Sequence, residues 1–128
     1  MRSALWIGSV LLALHATSAS ACGHCVEDKV AAVYDYAVVT QAKAQKHHVV
    51  YFALDGTVVP GAALHKRIET AIQSTPGVDQ SSVRVSLELA ALSFSFDPRR
   101  TSYAGLQKAL ERKLTGEKLG LMELKYIN

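Results

Sequence analysis

The chain has 128 residues, of which 49% are hydrophobic and 20% are charged, and its formal net charge is +3. This length suits one small domain with a hydrophobic core and is too short for two. The charge is too small to indicate nucleic-acid binding, and no aromatic residues interrupt the basic cluster at 43–48, so we expect no nucleic-acid partner.

Residues 1–21 have the pattern of a secretory signal peptide. A positively charged start precedes an apolar run from Ala4 to Leu14, and residues 19–21 are the small Ala, Ser and Ala that a signal peptidase recognises. The apolar run is too short to span a bilayer. We therefore expect an exported, periplasmic protein whose mature chain begins at Cys22.

Residues 19–22 also resemble the cleavage box of a bacterial lipoprotein. If Cys22 were lipidated, its sulfur would become a thioether and the chain would be anchored to a membrane surface. Without that modification we expect no membrane association.

The two cysteines of the chain, Cys22 and Cys25, flank Gly23 and His24. A Cys-x-x-Cys pair can share one soft metal ion or close a small disulfide ring. A helical pattern begins at Val26, which predicts Cys25 at a helix N-terminus, where unpaired N–H groups favour a thiolate. Two thiolates assisted by the His24 imidazole suit Cu(I) best, with Zn(II) and Hg(II) as competitors.

Two other roles remain open. The same cysteine pair could serve thiol-disulfide exchange, although the enzymes with a similar active-site string place a strand before it. A lipidated or disulfide-bonded pair would instead leave a module that recognises a partner protein. We predict that the chain is not an enzyme, because the acids expected on loops or solvent-facing positions have no paired base or nucleophile: Asp55, Glu69, Asp79 and Asp97.

Apolar residues at helical spacing predict one helix from Val26 to about Gln45, and His47 and His48 are expected as solvated residues at its end. The following segments are predicted as a strand (49–54), a helix (62–74), a strand hairpin (83–88 and 92–96), a helix (103–114) and a last strand (122–126). Alternation in the hairpin predicts one buried and one solvent-exposed face. Met122 is expected in the core.

This order of elements predicts an α+β protein with the ferredoxin-like βαββαβ sandwich, in which a four-stranded antiparallel sheet carries two helices on one face. An additional N-terminal helix precedes it. The expected organisation is a signal peptide at 1–21, the Cys-Gly-His-Cys motif with its helix at 22–47, and the ferredoxin-like domain at 48–128.

Residues 48–127 resemble the heavy-metal-associated domain of copper chaperones, metal-pumping ATPases and periplasmic mercury-binding proteins. The resemblance rests on Pro-Gly-Val at 76–78, Val-Arg-Val-Ser-Leu-Glu at 83–88, and Phe-Ser-Phe-Asp-Pro at 94–98 followed by a helix. It implies a carrier that exchanges a metal ion with a donor or acceptor protein, and no pattern indicates an oligomer.

Members of this family place a Cys-x-x-Cys in the loop between the first strand and the first helix. The corresponding segment, 55–64, contains no cysteine, and His65 beside it is expected as a surface residue. We therefore expect the metal ligands at Cys22, His24 and Cys25 instead. The alternative is a relative that binds no metal and keeps only the fold.

Overall fold

Residues 25–128, described by a computed structural model, form a four-stranded antiparallel sheet in the order β2-β3-β1-β4, with helices on both faces. The elements in chain order are α1 (Val26–Val33), α2 (Tyr36–Gln45), β1 (His48–Asp55), α3 (Ala62–Gln73), β2 (Arg84–Ser86), β3 (Ala91–Phe96), α4 (Tyr103–Thr115) and β4 (Gly120–Ile127). In this part of the chain, no helix is both long and apolar enough to cross a membrane.

The larger core lies between one face of the sheet and the helices α3 and α4. Alternate residues of β1, such as Val50 and Phe52, point to this face and are fully buried. The neighbouring strand contributes Phe94, and its ring stacks on that of Phe52 with centroids 6.1 Å apart. The helices add Ile68, Ile72, Leu106, Leu110 and Leu114. The predicted ferredoxin-like sandwich with two helices on one face is confirmed.

The opposite face of the sheet is also covered, which the sequence analysis did not predict. Val49 and Tyr51, the other set of β1 side chains, pack with Ala91 against Val33, Val39 and Ala42 from α1 and α2. All six residues of β3 are buried. The predicted solvent-exposed face of the hairpin is therefore wrong.

The error arises at the serines of β3. A serine that is buried with a hydrogen-bond partner cannot be distinguished from a solvated serine by sequence pattern. Ser93 donates a hydrogen bond of 2.6 Å to the carbonyl oxygen of Val33, and Ser95 donates to the carboxylate of Asp79. Both side chains are nearly inaccessible to solvent. The hydrogen bond from Ser93 joins the end of α1 directly to the middle of the sheet.

The predicted single helix over 26–45 is two helices. Tyr34 and Asp35 adopt extended backbone conformations between them. The Asp35 carboxylate accepts a hydrogen bond of 2.9 Å from the Ala37 N–H and so caps α2. An aspartate that bonds its own backbone two residues onward competes with a continuous helix, and this explains the break.

We predict that Ser93→Ala lowers the free energy of unfolding by about 1–3 kcal/mol, because the Val33 carbonyl would lose its partner in a buried setting. Urea denaturation at neutral pH measures the change. Ser81→Ala, at an exposed position, is the matched control and should shift stability by less than about 0.5 kcal/mol. Equal effects of the two substitutions would contradict this account of how α1 is attached.

Candidate functional site

Cys25 is the residue of the sequence-predicted site that the structure describes, and it lies at the N-cap of α1. Its backbone is extended, with φ −69° and ψ 163°, and its carbonyl accepts the first helical hydrogen bond from the Lys29 N–H at 3.1 Å. The thiol is partly exposed and has no disulfide partner among residues 25–128. The predicted helix N-terminus at Cys25 is confirmed, whereas Cys22 and His24 lie outside the described residues and stay predictions.

Asp28 is a neighbour of the thiol that the sequence analysis missed. The Cys25 Sγ donates a hydrogen bond of 3.2 Å to Asp28 Oδ2. The spacing i, i+3 on a helix is the signal that could have identified it. A carboxylate at this distance places negative charge beside the sulfur, which favours a cation there, and its hard oxygen suits Zn(II) better than Cu(I).

Lys29 determines which end of the sheet Cys25 occupies. Its ammonium donates to the carbonyl of Leu89, in the turn between β2 and β3, and the same turn accepts a hydrogen bond of 2.8 Å from the N–H of Leu54 at the end of β1. Because Cys25 precedes Lys29 by one helical turn, it lies at this end as well. It is on the α1 face of the sheet, whereas the loop that follows β1 leads to α3 on the other face.

That loop, the position of the metal site in the resembling family, carries no thiol. His65, close behind it, has a side chain that is 43% exposed, with Nε2 3.3 Å from the Val85 carbonyl oxygen and Nδ1 3.6 Å from a carboxylate oxygen of Glu69. It is a surface residue, as predicted. Between residues 25 and 128, no three His, Cys, Asp or Glu side chains converge in a way that could hold a metal ion.

The prediction that His47 is solvated is wrong. Its side chain is 12% exposed and lies between two carboxylates, with Nδ1 2.8 Å from Asp79 Oδ2 and Nε2 3.7 Å from Asp97 Oδ2. Asp79 and Asp97, which were expected without partners, therefore share this imidazole. Lys46 explains the placement, because its left-handed backbone (φ 59°) ends α2 and turns the chain inward so that His47 N–H bonds the Ala42 carbonyl at 2.8 Å.

His48 is not a solvated end residue either. Its ring meets the edge of Phe96 with centroids 5.7 Å apart, and Nδ1 contacts the Tyr126 hydroxyl. Both histidines lie where β1 begins, whereas Cys25 is near the strand's other end. The structure therefore does not bring them to the cysteine.

Asp35 and Arg84 hold the α1–α2 segment to the edge of the sheet. The Arg84 guanidinium donates to Asp35 Oδ2 through Nη2 at 2.9 Å and through Nε at 3.2 Å. These bonds, followed by the hydrogen bond from the Ala37 N–H, lower the pKa of the Asp35 carboxyl below its ordinary value of 3.8. The pair lies at the break between the helices, and through it α1 is positioned on the sheet.

Comparison with known proteins supports the fold. No protein-family profile matches the chain, and no curated protein is significantly similar in sequence. Among solved structures, the copper binding domain from HMA7, a P-type ATPase, is 18% identical, with a TM-score of 0.50 over 62% of this chain and 96% of that domain. Oxidized MerP from Ralstonia metallidurans CH34 is 22% identical, with a TM-score of 0.46 over 60% of this chain and 96% of that protein. The first of these likenesses supports the ferredoxin-like fold of this chain.

We predict that Asp35→Asn weakens the acid dependence of stability. Because the pKa of Asp35 is lower in the folded than in the unfolded protein, the unfolded chain takes up the proton first as the pH falls through 3.8. The stabilisation is complete at neutral pH and is lost as the pH falls through the folded-state pKa. Urea midpoints measured from pH 7 to below 3.8 should fall less steeply in the variant than in the wild type.

The matched control is Asp55→Asn, at an exposed position at the end of β1. It should leave the acid dependence close to that of the wild type. An Asp35→Asn profile parallel to the wild-type profile would show that the Arg84 pair does not hold the segment in place.

Proposed function

We propose that the protein is an exported carrier of a soft metal ion, which it binds through Cys22 and Cys25 with His24 assisting. Cu(I) suits this ligand set best, and Zn(II) and Hg(II) are the competing ions. The observation that carries the proposal is Cys25 itself, a partly exposed thiol at the start of a helix on a domain with a ferredoxin-like fold.

The setting of Cys25 suits reversible binding. The Cys25 sulfur lies at the start of α1, and the Asp28 carboxylate, 3.2 Å away, favours a cation beside it. A soft ion held by two sulfurs and one imidazole has few ligands, so an incoming ligand from another protein can attack before the outgoing one leaves.

The proposed partner is a protein that donates the ion or accepts it. The motif comes directly before α1, and α1 is attached at its Lys29 to the turn between β2 and β3. The scaffold therefore presents the start of the helix at one end of the sheet. Export to the periplasm is part of the proposal and follows from the pattern of residues 1–21.

We predict that the purified protein binds one Cu(I) per chain under anaerobic, reducing conditions. Cys22→Ser and Cys25→Ser should each weaken binding at least about a hundredfold. Mutation of residues that only support metal ligands already lowers metal affinity by up to about that factor. His24→Ala should weaken binding less. Titration against a Cu(I) chelator of known affinity measures these changes, and affinity should fall with decreasing pH because protons compete for the ligands.

The matched control is His65→Ala, which removes a partly exposed histidine beside the loop that lacks the family's cysteines. It should leave Cu(I) affinity unchanged. Turnover of a disulfide substrate with no metal retained would instead identify the pair as a redox site. An intact mass that shows lipid attached at Cys22 would mean that one of the two thiolates is missing. That result would contradict the proposed carrier.

A further inference from the structure

An apolar strip lies exposed where α1 passes over β4. Val26 and Val30 lie one turn apart on α1, Tyr34 follows the end of the helix, and together with Leu124 of the strand they line a shallow groove of about 440 Å³. Val30 and Leu124 are half-buried against the second core. Met122, also on β4, was expected in the core but is 56% exposed. Val26 and Tyr34 are 52% and 49% exposed. Single exposed apolar residues are ordinary, whereas a contiguous row of them marks a contact surface.

Opposite charges mark the two ends of this strip. Glu27 follows Val26 at the start of α1, at the Cys25 end of the groove. Lys125 lies at the other end, because it is level with Tyr51 and Ser93 in the sheet, and Ser93 bonds the last residue of α1. Within the part of the chain that the structure describes, neither Glu27 nor Lys125 forms an ion pair.

We propose that this strip is the interface of a twofold homodimer, in which α1 of one subunit crosses α1 of the other in antiparallel orientation. In a twofold interface, if one residue contacts a second residue of the partner subunit, the same contact is made again with the two subunits exchanged. An apolar row with an acid at one end and a base at the other is complementary to itself under that operation. Glu27 of each subunit then meets Lys125 of the partner subunit, with Val30, Tyr34 and Leu124 buried between the two ion pairs.

The contact is made by faces of the elements and not by addition of strands. β4 is an edge strand, yet its pairing with β1 shifts register between Tyr51 and Phe52, which leaves Leu124 as an extra residue. A bulge of this kind twists an edge and blunts it against pairing with another strand. The same shift turns Leu124 toward the α1 side of the sheet, where it packs next to the second core.

The proposed dimer is independent of metal binding. The antiparallel crossing keeps the two Cys25 residues at opposite ends of the interface, so each subunit retains its own thiol site. The strip is small, and interfaces of the smallest class associate weakly. A dissociation constant on the order of micromolar or higher is therefore expected.

Sedimentation equilibrium of the metal-free, reduced protein tests the proposal from about 1 µM to about 1 mM, the range in which such an interface associates. The wild type should shift from monomer to dimer. Glu27→Lys and Lys125→Glu should each raise the dissociation constant at least about tenfold, because like charges then face each other twice. The double variant should return to within about threefold of the wild type, because the pairs are restored with their signs exchanged.

Tyr36→Ser is the matched control, because Tyr36 is 73% exposed but does not line the groove, and it should leave the dissociation constant unchanged. Each variant's urea midpoint shows that it is folded. A wild type that stays monomeric up to about 1 mM overturns the proposal. The strip would then be covered by another protein or by residues 1–24 of the same chain, and not by a second copy. A double variant as weak as either single variant also overturns it.

Discussion

The structure depends on a sheet whose central strands are buried on both faces. In β1, Val50 and Phe52 belong to one core, whereas Val49 and Tyr51 belong to the other. Burial of a large apolar side chain stabilises a protein by about 1.5–3 kcal/mol relative to its exposure. The segment that carries α1 and α2 therefore contributes to the fold, because without it the second row of β1 side chains would face water.

This constraint is what gives Cys25 a defined position. A helix start on an unattached extension would have no fixed place relative to the sheet, but α1 is bonded at Lys29 to the turn before β3 and at Val33 to Ser93. The same packing places the strip beside the second core, since Val30 packs partly against that core while Val26, at the start of α1, is 52% exposed. A candidate metal site and a candidate interface therefore both follow from the docking of one short helix.

The errors of the sequence analysis share a cause. Asp35 was placed inside a helix, His47 in solvent, and Ser93 on an exposed face, and in each case the residue is polar with a partner that local pattern does not reveal. His47 meets Asp79, which is 32 positions away, and Ser93 meets Val33, which is 60 positions away. Met122 is the opposite error, an apolar residue expected in the core that is exposed. Alternation along a strand cannot show that the face to which a side chain points is only partly covered.

The sequence alone determined the elements of the ferredoxin-like domain and the position of Cys25 at a helix start, because the periods of apolar residues and the preferences of helix ends are local properties. Tertiary structure decided that α1 and α2 cover the second face, that Asp28 meets the thiol, and that His47 is enclosed by two carboxylates. Those outcomes depend on which surfaces meet, and surfaces from distant parts of the chain become neighbours only when the whole sheet is assembled.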